Sequence, residues 1–411
     1  MPDQPPVTGQ PGVSLAAKHA LGWLVFGNAA GLYLSVLLLV PSLQAGSWTY
    51  GRWVPVHLDS QLYGWTSLPL VAWLFSIYQA DRGRVRAWAS AAVWGWTAAL
   101  GTGVVSWLVG MTSGKIFLDW KGGALAGFMA ALVILWLVLA AAWRERPAAW
   151  TSRRKWFSLA GLIALVLVPV SLAFASSPRV YPPIDRTTGG PTGSSLLGSA
   201  LVVVGLMLLL PRVTMAAEGR GTRGVWWFFA VSWIFFGVAE GIGGTHRDLL
   251  QIASMLLLLP WVVWIPRDWS RFSWPEGTRA WRLAAMGWWG LLTTSGVLMY
   301  QPGLLDRLKF TQGLVAHSHL AMAGFTTSFC ALLLVLLTGR RVGGNATVAL
   351  WNAAALAMVA VLAWMGWREG ANPSWMAVQP LWRETGLWMR TACGTLMLAA
   401  SVKWLYDWRH A

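Results

Sequence analysis

Apolar and polar stretches alternate along the whole chain, and the apolar stretches are long. Runs of span length lie near 18–41, 54–79, 87–110, 120–143, 155–175, 194–215, 224–243, 247–266, 280–300, 312–338, 345–367 and 386–406, separated by short charged or Pro/Gly-rich breaks. A helix of roughly 20 apolar residues is what a bilayer core requires. The pattern predicts an all-α integral membrane protein of about twelve transmembrane helices. The seventh and eighth runs are parted only by GGTHRD, and the longest break, SSPRVYPPIDRTTGGPTGSS, is too short for a soluble domain. Residues 18–411 therefore read as a single membrane domain. The polar, Pro/Gly-rich segment 1–17 reads as a disordered tail, without the basic and apolar regions of a signal peptide.

Composition agrees with this reading. Hydrophobic residues make up 56% of the chain and charged residues 11%, against about 25% charged in soluble domains. A net charge of +16 would suggest a nucleic-acid partner in a soluble protein. Here the basic residues follow the predicted loops instead. Twenty of the 31 Lys and Arg residues fall in the termini and the even-numbered loops, and eleven in the odd-numbered loops. The positive-inside rule then places both termini in the cytoplasm, with RERPAAWTSRRK the densest anchor. Lipid, not nucleic acid, is the expected surrounding. Cys330 and Cys393 lie in apolar runs, and no CxxCH is present for covalent haem attachment. The 32 tryptophans suit interfacial belts, with packing against a flat macrocycle as the rival use for those in mid-helix.

Six histidines are present. His19 and His410 fall at predicted cytoplasmic ends and read as interfacial. His57, His246, His317 and His319 all fall near the predicted outer face, although they are remote in sequence. Ionisable side chains in membrane spans are costly and usually serve the bundle interior. In AHSHLAMAG, His317 and His319 are two residues apart, which on a 3.6-residue turn is roughly 200°. They point to opposite sides of one helix and cannot share a metal without unwinding it. Each can hold a different centre, and neutral imidazole is an axial ligand of haem iron.

These segments resemble the catalytic subunit (subunit I) of the haem-copper oxidase superfamily, nearest its cbb-type cytochrome c oxidase and nitric oxide reductase branches. VHLDSQLYGW resembles the second-helix segment that supplies a low-spin haem ligand. AHSHLAMAG resembles the tenth-helix His-x-His segment, and QPLWRETGLWMRTACGTLML resembles the last helix. The resemblance implies that His57 and His319 are axial ligands of a low-spin haem b, and His317 the proximal ligand of a second, high-spin haem. Arg368, Arg383 and Arg390 would face the haem propionates, since guanidinium pairs well with carboxylate. It also implies a respiratory-type electron-transfer function in a bacterial-type inner membrane. A separate subunit, such as a cytochrome c or a cupredoxin-type protein, would be the electron donor.

The chain departs from the family at the copper site. Family members use one histidine of the sixth helix and a His-His pair after the seventh. Here the pair's place holds His246 followed by Arg247, and the sixth run has no histidine. One imidazole beside a guanidinium is a poor copper site, so copper is expected to be absent and His246 to be a remnant. Asp59 and Glu240 are the membrane-embedded carboxylates, both near the outer ends, and no polar path rises from the cytoplasmic side. The leading expectation is a haem-binding, electron-transferring subunit. Two alternatives stay open. One is an active terminal oxidase or nitric oxide reductase whose metal site uses Glu240 and His246. The other is a non-catalytic structural or gas-binding subunit.

Overall fold

A computed structural model describes residues 11–46, 48–180, 190–215, 221–376, 378 and 380–410. Among these residues the ordered elements are helices. They are α1 (Pro11–Leu39), α2 (Tyr50–Asp59), α3 (Ser67–Tyr78), α4 (Val85–Leu108), α5 (Gly122–Arg144), α6 (Ser152–Ser176), α7 (Gly193–Thr214) and α8 (Val225–Ile242). There follow α9 (Leu249–Leu256), α10 (Leu259–Trp269), α11 (Arg279–Met299), α12 (Leu304–Leu308), α13 (Gln312–His319), α14 (Thr327–Thr338), α15 (Asn345–Ala371) and α16 (Leu381–His410). Two π-helical segments, Ser60–Thr66 and Leu320–Thr326, join α2 to α3 and α13 to α14.

Among the described residues, eight stretches are long and apolar enough to cross a membrane: α1, α5, α6, α7, α8, the α9–α10 pair, the α13–α14 pair and α15. The protein is therefore an all-α, multi-pass membrane protein. The other four apolar runs also form helices, but more polar ones. Tyr50–Tyr78 carries Arg52, His57, Asp59 and Gln61, and α16 carries charges at both ends.

The expected tail boundary at residue 17 needs correction, because α1 begins at Pro11. Proline suits a first turn, where its missing N–H would lack an intrahelical partner anyway. The next amide, Gly12 N, donates to Asp81 Oδ1 at 2.8 Å, and Val13, Ala16 and Ala17 are buried. Residues 1–10 lie outside the described residues.

Where one domain over 18–411 was expected, the chain divides into two compact units. The first gathers described residues of 5–180, 330–351 and 394–411. There α1 packs on α2, α3 and α4, α4 on α5, and α5 on α6. Several polar groups inside this apolar unit bond one another. Tyr78 donates to Ser158 O at 2.6 Å, and Trp143 Nε1 donates to Ser158 Oγ at 3.1 Å. The Lys115 ammonium donates to the carbonyls of Ala175, Ser177 and Val180, at and just past the end of α6. A cation there offsets the negative end of the helix dipole.

The second unit lies within 181–329 and 352–393. α7 packs on α8, α9 and α10, and α11 packs on α10, α13 and the second π segment. One of its buried ion pairs is bidentate: Arg212 donates to both Asp268 oxygens at 2.6 and 2.8 Å. Asp268 is fully buried and also accepts Thr222 N at 2.7 Å.

The tryptophans divide between two roles. Trp88, Trp156 and Trp227 are exposed, as an interfacial belt requires. Trp65, Trp107, Trp120, Trp261, Trp269, Trp281, Trp351, Trp404 and Trp408 are sealed in the interior. Several of the sealed rings bond backbone: Trp107 Nε1 donates to Asp119 O at 2.9 Å, and Trp269 Nε1 to Met207 O at 2.9 Å. Much of the tryptophan is thus core packing.

The Arg212–Asp268 pair yields a direct expectation. Breaking a buried pair leaves an uncompensated charge and costs about 3 kcal/mol. D268A should therefore lower the unfolding temperature of the detergent-solubilised chain by several degrees, while D268E should recover most of the loss.

Candidate functional site

His57 sits in α2, three residues before the first π segment; His317 sits in α13, three residues before the second. The likeness goes further. In the first unit a Cβ on Gly31 of α1 would lie 2.6 Å from His57 Cε1, and one on Gly64 would lie 2.5 Å from Trp23 Cβ. In the second, a Cβ on Gly296 of α11 would lie 3.1 Å from His317 Cε1, and one on Gly324 would lie 2.5 Å from the Trp288 ring. Trp23 precedes Gly31 by eight residues, as Trp288 precedes Gly296; His57 precedes Gly64 by seven, as His317 precedes Gly324. Trp23 Nε1 donates to Thr97 Oγ1 of α4 at 3.4 Å, and Trp288 Nε1 to Asn352 Oδ1 of α15 at 2.6 Å. Each unit therefore holds one copy of the same assembly. An imidazole lies against a glycine of the preceding helix, and a tryptophan of that helix covers a second glycine.

The π segments explain how the backbone tolerates this. In the wider turn carbonyls accept from the amide five residues on, as Leu62 O does from Ser67 N and Met322 O from Thr327 N, and the hydroxyl of the same residue adds a second bond. Ser67 Oγ donates to Leu62 O at 2.8 Å, and Thr327 Oγ1 donates to Met322 O at 2.9 Å, both five residues back. Trp96 Nε1 donates to Tyr63 O at 2.8 Å.

Each of the three imidazoles is tethered by a hydrogen bond. A carbonyl can only accept, so His57 Nδ1 carries the proton it donates to Gly27 O at 2.8 Å. His319 Nδ1 likewise donates to Val315 O at 2.8 Å. Ser295 Oγ lies 3.1 Å from Leu292 O and 3.2 Å from His317 Nδ1. His57 and His319 thus each carry a proton on Nδ1, and His317 is tethered at Nδ1 by a hydroxyl. Such a bond at one ring nitrogen is the usual companion of metal ligation at the other. His317 turns to α11 while His319 folds back onto its own helix, in keeping with the i, i+2 spacing.

The helix that carries His317 and His319 is held at its start. Thr311 Oγ1 accepts Gly313 N at 3.1 Å, and the Glu369 carboxylate of α15 accepts Gln312 N at 2.8 Å. A Cβ on Gly366 would meet Gly313 Cα at 2.5 Å, so α15 and α13 approach through two glycines. Arg383 donates to Glu369 at 3.3 Å. Arg390 is buried and reaches Gln312 Oε1 at 3.5 Å. Arg368 lies among the rings of Trp364, Trp375 and Trp382, at 5.7, 5.1 and 4.8 Å. The three arginines thus differ: one is caged by aromatics, one pairs with a carboxylate, and one is buried at the head of the histidine helix.

Glu240 and His246 belong to different polar groups. Glu240 accepts Ser194 Oγ at 2.6 Å, and Ser194 N donates to Gln251 Oε1 at 2.8 Å. His246 is fully buried and lies 3.5 Å from Asp306, which Arg247 also approaches at 3.2 Å. Among the described residues no three His, Cys, Asp or Glu side chains converge as metal ligands. His19 bonds Thr97 Oγ1 at 2.6 Å, and His410 donates to Tyr406 O at 2.8 Å.

Sequence reading passed over Glu369, Ser194 and Gln251. Glu369 looked like one more loop charge, although it is 2% exposed. The duplicated pattern was also passed over. His-x-Asp-x4-Gly-Trp-Thr-Ser at 57–67 answers His-x-His-x4-Gly-Phe-Thr-Thr at 317–327.

No protein-family model matches the chain, and comparison with curated proteins gives no match.

Asp306 supplies a pH expectation. Burial pushes its carboxyl up, but the Arg247 hydrogen bond and the His246 and Arg247 charges outweigh this and hold it below the ordinary value. A depressed carboxyl stabilises the fold above its unfolded value, about 3.9, and loses that contribution as pH falls through the folded value. Hydrogen exchange of 301–309, corrected for intrinsic rate, should therefore speed up as pH falls below about 4. D306N should show fast exchange already at neutral pH.

Proposed function

We propose that this chain is a haem-binding, electron-transferring membrane subunit. In this reading it has twelve spans, both termini in the cytoplasm and a place in a bacterial-type inner membrane. His57 and His319 are the axial ligands of a low-spin haem b, and His317 is the proximal ligand of a second haem. The observation that carries the reading is the tethering of all three imidazoles at Nδ1, His57 and His319 to backbone carbonyls and His317 to the Ser295 hydroxyl, the usual companion of metal ligation at Nε2. The glycines beside His57 and His317 let each imidazole lie close against α1 or α11, which fixes the position of the ring.

Bound haem supplies one-electron redox chemistry at iron. The chain's residues do the positioning. Gly27 O, Val315 O and Ser295 Oγ orient the rings and make them more basic ligands. Arg390 is the arginine best placed for a propionate, being buried at the start of the helix that holds two of the ligands. Arg368 and Arg383 already have aromatic and carboxylate partners, and act one layer further out. A separate cytochrome c or cupredoxin-type subunit delivers the electron. Glu240 and His246 contribute no non-haem metal, and copper is not part of the reading.

Protein purified after haem-replete expression should show a Soret band, a bis-histidine low-spin reduced spectrum and no stoichiometric copper. H57A and H319A should each abolish the low-spin signal. H317A should spare it and remove any carbon monoxide adduct. S295A should weaken retention of the second haem by about tenfold, in the range for loss of a ligand-orienting bond. Absence of any Soret absorption from well-folded protein would overturn the proposal.

A further inference from the structure

In the first unit a file of aromatic rings runs inward from the surface. Trp48, in the loop between α1 and α2, is 54% exposed. Its indole stacks on that of Trp53 in α2, with ring centroids 5.3 Å apart and planes 26° apart. Tyr33 of α1 packs edge-on against both, at 4.8 Å from Trp53 and 6.1 Å from Trp48. Trp53 is half-buried and stands one turn before His57 on the same helix. Side chains four apart on a helix are neighbours, with about 5–6 Å between their Cβ atoms. The file therefore leads from the surface to the imidazole in two steps.

The surface end of the file is apolar. Val40 and Leu43 of the same loop are 39% and 49% exposed, and no residue from Val40 to Gly51 is charged. Other loops differ: 243–248 holds Arg247 and Asp248, and 303–310 holds Asp306, Arg307 and Lys309. The cores of protein contacts are depleted in charge and enriched in tryptophan. Electron-transfer encounters bury little surface, below about 1,200 Å² in total, so a few exposed side chains suffice. A tryptophan that only anchors the chain in the membrane interface needs headgroups around its ring. It does not need a second indole stacked beneath it, one turn from a candidate ligand.

We propose that Trp48 is the docking point of the one-electron donor protein, and that Trp48 and Trp53 bridge the donor to the centre held by His57. This rests on the haem reading of His57 given above. The partner is a small redox carrier with an uncharged, apolar face over its cofactor. One electron leaves the reduced donor and reduces ferric iron at His57 to ferrous iron. No bond is made or broken, and no proton is needed for balance. The two indoles shorten the gap for tunnelling, which falls steeply with distance, and are not themselves oxidised.

The test uses the full haem-loaded chain in lipid nanodiscs. The probe is a reduced cupredoxin whose copper lies under an uncharged apolar face. Stopped-flow spectroscopy reads haem reduction, and surface plasmon resonance reads binding of the oxidised probe to the oxidised chain. W48A should weaken binding and slow reduction by the probe, each by about tenfold, the scale of losing an interface tryptophan. W48F keeps a ring and should recover much of both. W53L should bind as wild type yet accept electrons more slowly. Reduction by dithionite, which needs no docking, and the low-spin spectrum should be the same in every variant. W367A removes a tryptophan of α15 that is 48% exposed, and should behave as wild type. Wild-type binding and reduction in W48A, or an equal loss in W367A, would overturn the docking point. A wild-type rate in W53L would overturn the bridge, and failure of the wild type to bind the probe would overturn the apolar partner. A chain without Soret absorption overturns the haem reading and this inference with it, whereas an intact spectrum with an unaffected W48A overturns this inference alone.

Discussion

Lipid offers a backbone carbonyl no partner, so every departure from the regular helix must be closed by the protein itself. Two departures matter here, the π segments at Ser60–Thr66 and Leu320–Thr326. In both, the amide and the hydroxyl of a residue five positions on reach back to the same carbonyl. Because His57 and His317 each stand three residues ahead of such a segment, the wider turn and the imidazole form one device. The glycines of α1 and α11 belong to it as well, for they let a ring lie where a side chain would otherwise stand.

Around that device the polar groups are arranged in layers. Gly27 O, Val315 O and Ser295 Oγ hold the rings. Beyond them, Glu369 caps the start of α13 and is itself paired with Arg383, while Arg390 lies buried beside Gln312. None of these bonds is costly to satisfy, because each charged group meets a partner inside the same unit. Arg368 makes the contrast: its three tryptophan neighbours favour the cation through their ring faces and leave it little reason to move.

The run lengths made the helical, membrane-spanning class plain. Periodicity could not reveal that α1 starts at Pro11, since Lys18 and His19 resemble a boundary and the small residues before them resemble a tail. The histidines were visible as residues, and the i, i+2 spacing foretold that His317 and His319 face apart. Their tethers were beyond reach, because the partners come from residues 30 and 22 positions away in two of the three cases. Glu369 was hidden for the same reason: only a partner 57 residues off makes it a cap. The duplication lay open in the letters at 57–67 and 317–327, yet a two-fold echo across some 260 residues acquires meaning only when both copies bend in the same way.

A π segment is, in effect, a helix carrying one residue more than its α-helical path would need. That extra residue turns everything downstream by about 100° relative to what came before. The face of α3 that packs on α1, and the corresponding face of α14, are thus set by counting and not by composition. A change in the length of either stretch would turn that face away from its partner helix. The spacing from each histidine to its tryptophan-covered glycine should be the most slowly changing feature of the chain.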